Sequence, residues 1–195
     1  PEHDVFYPDY TGEVDGRDFR HLNLVVDPDD PKDLDRIISL YDGEIRFTDR
    51  NVAALLGILS RAGRLDDTLV VFTSDHGEEF SEHGQLGHKN SLFEEVLRVP
   101  LIMRWPGGIP AGTRVPEMTS IIDIAPTILD YLGEWEEGDY WGRSLRPLLE
   151  GGRLERRWTP IELTSRFVNL DARGAHDGRA KILNVGPGDG MLLID

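Results

Sequence analysis

From Asp33 onward the apolar residues fall at Leu34, Ile38, Tyr41, Ile45, Val52, Leu55, Leu56 and Leu59, a spacing of threes and fours that lines them along one side of a helix. The pattern predicts one long amphipathic helix, or two joined end to end, weakened locally at Gly43 and Gly57. It closes near Ala62-Gly63, where glycine readily takes the left-handed cap conformation. The runs at 68–72 and 99–103 are different: they are apolar in almost every position, rich in valine, isoleucine and leucine, and stopped by Thr73-Ser74-Asp75 and by Trp105-Pro106-Gly107-Gly108. Such runs predict strands buried on both faces of a parallel sheet. Helix followed by buried strand, repeated, predicts a three-layer α/β fold. Residues 121–132 read as a further helix ending at Gly133, and 144–149 as a helical turn. The Pro-, Asp- and Gly-rich residues 1–30 read as mostly irregular surface. Beyond Gly151 the pattern breaks into short strand candidates at 161–163, 180–185 and 191–194, separated by Gly- and Asp-rich turns, which predict a small antiparallel sheet. The domain division expected is therefore 1–151 and 152–195.

Composition narrows this picture. The 195 residues are 39% hydrophobic and 29% charged, enough apolar material to close a core, so disorder is excluded for the chain as a whole. The apolar runs are far shorter than the roughly 18 residues of a membrane-spanning helix. A formal net charge of −15 sets up a field that repels phosphate, which argues against nucleic acid or anionic lipid as partner. An anionic substrate must then be captured by a local cationic group. With no cysteine in the sequence, disulfides, thiolate metal sites and a cysteine nucleophile are excluded within these residues. The opening Pro1-Glu2-His3 and the ending at Asp195, directly after an apolar run, lead us to expect a piece of a longer chain. The compartment stays open for that reason, and an exposed sheet surface that favours self-association is expected.

Chemistry concentrates in one place. Three of the six histidines, His76, His83 and His88, fall within thirteen residues together with Asp75, Glu78, Glu79, Glu82 and Lys89. The cluster starts just after the strand predicted at 68–72, and the carboxyl ends of strands are where ligands bind in open α/β sheets. A carboxylate beside an imidazole can hold a divalent ion, and Gly77 lets the backbone turn past them. Taken alone, Asp75-His76-Gly77 is equally a side-chain cap carrying a surface histidine. Glu78, Glu79 and Glu82 read as a solvated face, and His83 as a loop residue. Lys89 is sharper: only three of the 21 basic residues are lysines, and an ammonium binds an anionic oxygen or gives up a proton more readily than a guanidinium.

Thr73-Ser74-Asp75-His76-Gly77-Glu78, then Gly87-His88-Lys89, then Phe93-Glu94-Glu95 and Arg98-Val99-Pro100-Leu101-Ile102 resembles the C-terminal motif set of the sulfatase family within the alkaline phosphatase superfamily. Asp123-Ile124-Ala125-Pro126-Thr127 and Gly142-Arg143-Ser144-Leu145-Arg146-Pro147-Leu148-Leu149 resemble the phrases that follow in that family. The resemblance is dense between about Tyr41 and Gly151. It implies a partial three-layer α/β/α alkaline-phosphatase-like fold, with residues 1–151 the C-terminal half of the catalytic domain and 152–195 the start of a small antiparallel sheet subdomain. It also implies an active-site divalent cation, calcium first among magnesium, manganese and zinc, and a sulfate or phosphate ester as substrate. Carried onto this chain, Asp75 and His76 match metal ligands, Lys89 matches the lysine that contacts the ester, and His88 stands beside it as a further catalytic candidate. The family's nucleophile, formylglycine made from Cys or Ser, or a Thr or Ser in related phosphotransferases, has no counterpart motif in these residues.

The leading expectation is a metal-dependent hydrolase of small-molecule or glycan sulfate esters, of which this chain is a part lacking the nucleophile. A phosphonate or phosphate ester hydrolase, or a phosphotransferase, is the alternative within the same superfamily, and His76 tips slightly toward it because many sulfatases carry an amide there. A catalytically silent module is the third reading.

Overall fold

A computed structural model describes residues 6–15, 26–27, 30–88, 91–136, 138, 140–155, 157–165, 170–185 and 191–194. The chain divides into two compact units, one made of residues 1–66 and 76–88, the other of 67–75 and 89–195.

The first unit is organised by helix α1 (Pro31–Arg61). Asp30 starts it by accepting the Lys32 amide at 2.9 Å, with Pro31 preset in the first turn. Ala62 and Gly63, the latter at φ 66°, end it where the sequence places the stop. Only its N-terminal half is inserted into a core: Ile37 and Leu40 pack with Val14 and Val26, flanked by Tyr10, Phe80 and Leu86. The apolar stripe predicted along the helix is not the face that this core uses: Ile37 and Leu40 lie outside that stripe, and its members Ile38, Ile45 and Leu55 are exposed. Buried Arg36 donates to the Val14 carbonyl at 3.1 Å and lies over the Tyr10 ring, while the Tyr10 hydroxyl donates to Asp33. Those bonds fasten the irregular segment 6–15 to the first turns of α1.

In the second unit β1 (Val70–Thr73) pairs with β4 (Leu101–Arg104). The pairing is antiparallel, with Val71 opposite Met103, and Phe72 and Ile102 are exposed. This corrects the expected parallel sheet buried on both faces. A parallel pair needs a crossover connection of a dozen or more residues, usually a helix; the stretch between these strands is long enough, but among its described residues it carries the short strands β2 (Glu79–Phe80) and β3 (Leu86–Gly87) and the one-turn helix α2 (Glu94–Leu97), with no crossover helix.

A 3₁₀ turn (Ile121–Asp123) leads into α3 (Ile124–Leu132), capped by Gly133 at φ 75°, and α4 (Arg146–Leu149) follows. Here the last two motif phrases of the sequence meet. Asp123, 1% exposed, accepts the amides of Ser120 at 3.0 Å and Arg143 at 2.9 Å and the guanidinium of Arg157. Thr127 donates to the Asp123 carbonyl at 2.6 Å and accepts the Leu145 amide at 2.9 Å. Burial first, and then the neighbouring Arg157 charge, pull the Arg143 guanidinium below its ordinary pKa.

The C-terminal sheet is wholly antiparallel, in the order β5 (Thr159–Ser165), β6 (Leu170–His176), β7 (Lys181–Val185), β8 (Met191–Ile194). Strand β6 is the one that the apolar pattern missed. Its inward position Ala172 is small, and Gly174, one residue past its centre, lies opposite Leu183. A side chain at Gly174 would collide with the Ile182 carbonyl oxygen and sit 2.7 Å from Leu183 Cδ2. Gly174→Val is therefore expected to cost about 1–3 kcal/mol, measured by urea unfolding of the full chain; an unchanged midpoint would mean that β6 and β7 do not approach this closely. Lys181 fastens the sheet to the residues after the His-rich segment: its ammonium is buried, 2.9 Å from Glu94 Oε1 and 2.8 Å from the Leu92 carbonyl.

Candidate metal centre

Strands β2 and β3 form a small hairpin, with Glu79 opposite Gly87 and Phe80 opposite Leu86. The Phe80 ring meets Tyr41 of α1 edge-on at 5.1 Å, which seats the hairpin on the helix. Its turn uses Ser81 at φ 73° and Gly84 at φ 75°, with the Ser81 amide bonded to the Gln85 carbonyl at 2.8 Å. Extending the register outward by one residue sets Glu78 across from His88. The consequence is chemical: His88 Nδ1 lies 3.1 Å and 3.4 Å from the two Glu78 oxygens.

The imidazoles of His76 and His88 stack, with centroids 3.8 Å apart and planes 25° from parallel. His76 Nδ1 lies 2.8 Å from the Gly77 carbonyl. A carbonyl only accepts, so Nδ1 carries the proton there and the lone pair is on Nε2, the arrangement common to histidine ligands. Gly87, at φ 95°, keeps this corner open: a Cβ there would stand 3.3 Å from Glu78 Oε1. His76, Glu78 and His88 are each half-buried, and one donor atom from each lies within 4.8 Å of the others. Two nitrogens and an oxygen at that spacing suit a divalent ion in dimension and in donor chemistry.

Of the residues singled out in the sequence, His76 and His88 come together in this way. Asp75 follows the end of β1 by two residues and is exposed; it belongs to the other compact unit. Lys89 lies outside the described residues. The solvated-face reading fails for Glu78, which bonds His88, and for Glu79, which is 1% exposed. Glu79 Oε1 accepts the His83 amide at 3.1 Å, and its buried Oε2 has no hydrogen-bond partner among the described residues. Glu82 is exposed as expected, and His83 is a loop residue pinned at 3.4 Å to Glu79. The missed signal was the hairpin itself: Phe80 and Leu86 flank Ser81-Glu82-His83-Gly84-Gln85, an apolar pair around a turn sequence, and recognising it would have paired Glu78 with His88.

The family model for sulfatases matches residues 3–134. N-acetylglucosamine-6-O-sulfatase of Bacteroides thetaiotaomicron is 39% identical over 119 residues, which are 60% of this chain and 21% of that protein. The chain thus covers about a fifth of that relative's length. Among solved structures, BT4656 in complex with its substrate D-glucosamine-2-N,6-O-disulfate overlays with a TM-score of 0.71 at 30% identity, over 84% of this chain and 34% of that one. The phosphonate monoester hydrolase of Agrobacterium radiobacter gives 0.72 at 31% identity, over 84% and 36%. The architecture is therefore a partial alkaline-phosphatase-like α/β fold carrying a small C-terminal antiparallel sheet. Because the family model matches continuously from the N-terminal segment through the His-rich hairpin to the end of α3, this chain belongs to the sulfatase family.

Proposed function

We propose that the protein carrying this chain hydrolyses sulfate esters of sugars with the aid of a divalent cation. One observation carries the reading: the hairpin that gathers His76, Glu78 and His88 lies inside the stretch matched by the sulfatase model. Sugar substrates are favoured by the relative named for N-acetylglucosamine-6-O-sulfate and by the neighbour that binds a disulfated glucosamine.

In this reading Asp75 and His76 hold the cation. Once bound, the cation offsets negative charge that builds on the ester oxygens. Lys89 contacts the same oxygens or gives its proton to the departing alkoxide, a role that suits a compact ammonium on a flexible stem. The nucleophile, formylglycine by family resemblance, is assigned to a part of the protein other than these residues.

Phosphonate monoester hydrolysis is the second reading, favoured by the 31% identity to the Agrobacterium enzyme and by the imidazole at position 76. The two separate in an assay of the full-length protein on an aryl sulfate, a 6-O-sulfated glucosamine and an aryl phosphonate monoester, each with and without chelator. Sulfate ester turnover that exceeds phosphonate turnover and disappears with chelator is expected. The reverse preference would install the second reading, and a folded full-length protein inert toward all three would be a silent module.

A further inference from the structure

We propose that Lys181 of the C-terminal sheet is a positioning residue for the reaction: its buried ammonium clamps the stretch that follows Lys89 and so fixes the direction from which Lys89 meets the ester. The inference rests on the role given to Lys89 above, and adds the residue on which that role depends.

The β6–β7 turn places the clamp. Asp177 Oδ1 accepts the Arg179 amide at 2.9 Å and the Ala180 amide at 3.0 Å, and Gly178, at φ 89°, lies so close to Met118 that a Cβ would stand 3.0 Å from it. This tight turn sets Lys181 opposite His176. Lys181 is 5% exposed. Its ammonium donates to the Leu92 carbonyl at 2.8 Å and stands 2.9 Å from Glu94 Oε1, while His176 Nδ1 lies 3.9 Å from the same oxygen. Both acceptors belong to the stretch that follows Lys89 in sequence. That stretch is firm in its own right: buried Ser91 accepts the Phe93 amide at 3.1 Å, and Val96 of α2 is buried. All these residues fall in one compact unit.

Burying an ammonium costs free energy that an apolar side chain of similar volume would not, so the charge is a poor choice for adhesion alone. What it adds is selection. A cation with a carbonyl on one side and a carboxylate on the other meets only those two acceptors, and the path of residues 92–94 is thereby specified. Reacting groups need that precision, since a displacement of about 1 Å costs on the order of a hundredfold in rate, and supporting bonds of this kind are what hold such groups in place.

The test uses the full-length protein and an aryl sulfate. Lys181→Met should lower kcat by about tenfold to a hundredfold with KM within about twofold of wild type. In a Lys89→Ala background the same substitution should cost under about twofold, because a residue that acts through Lys89 has nothing left to position. A residue that matters for stability alone would give neither result. Hydrogen exchange reads the clamp without turnover: the amides of Val96, Leu97 and Arg98, bonded to the Phe93 and Glu94 carbonyls, should exchange about tenfold faster or more in Lys181→Met. If Lys181→Met does not fold, Glu94→Gln at a half-exposed position carries the same measurements, with an expected loss in kcat of about threefold to tenfold. Unchanged kcat in a folded variant, or a loss that simply adds to that of Lys89→Ala, overturns the inference and leaves the function standing. A wild type inert toward every ester removes the hydrolase reading instead, and faster exchange in Lys181→Met then still upholds the clamp, whereas unchanged exchange ends it.

Discussion

Replacing Lys89 by alanine in the full-length protein is expected to lower turnover of an aryl sulfate by about two to three powers of ten, the usual effect of removing a donor aimed at charge that develops in the transition state. Lys89 is one of three lysines in the chain and follows His88 directly, and the proposed function gives it the contact to the ester. The loss should appear in kcat and kcat/KM together, because the interaction strengthens as the ester bond breaks. Lys89→Arg should recover only part of it, since a planar guanidinium neither fits a point-charge site nor releases a proton readily. An exposed charge with no contact to substrate would instead change stability by under about 0.5 kcal/mol and turnover not at all. Equal steady-state rates for wild type and Lys89→Ala would remove this residue from the chemistry.

Asp123→Ala carries the largest expected effect on folding, a loss of about 3–5 kcal/mol. One buried carboxylate there receives Arg157 and two backbone amides, those of Ser120 and Arg143. Its removal leaves those amides without an acceptor, and it takes away the charge that faces Arg157 and offsets the desolvation of Arg143. Breaking a buried pair on one side costs far more than the pair contributes as a whole, because the uncompensated partner stays behind. Asp123→Asn, which keeps the shape and an accepting oxygen but drops the charge, should lose less. Denaturant unfolding of both variants checks the ranking; a midpoint for Asp123→Ala within error of wild type would mean that the three donors find water in its absence.

Helix α1 and its C-terminal end were legible in the sequence because their causes are local: a spacing of threes and fours and a glycine after Ala62 act within a turn or two of backbone, whereas the cap at Asp30 was not singled out. The helical turn before Gly133 and three of the four C-terminal strands were readable for similar reasons. His76 and His88 were singled out through clustering and family resemblance. Their shared contact was not, because it depends on a hairpin with strands of two residues each, too short to carry a periodic signal.

What only the tertiary structure decided are the relations between residues distant along the chain. The apolar run at 68–72 specifies a strand but not its direction: a segment apolar on both faces looks the same whether its neighbour runs parallel or antiparallel, and the connection decides. Polar burial is likewise a property of pairs. Glu78 and Glu79 are adjacent acidic residues in the sequence, yet the pleat of β2 leads one to His88 and buries the other beside His83. Asp123, in the same way, reads as a helix start in sequence, and becomes a buried hub because the phrase from Gly142 to Leu149 folds back onto it. The sequence by itself determined the long helix and its C-terminal stop, the apolar strands and the family, since periodicity, caps and motif order act over a few residues; the short hairpin, strand β6, strand direction, the Glu78–His88 pairing and the burial of charge waited on tertiary structure, since each depends on a partner beyond the local turn.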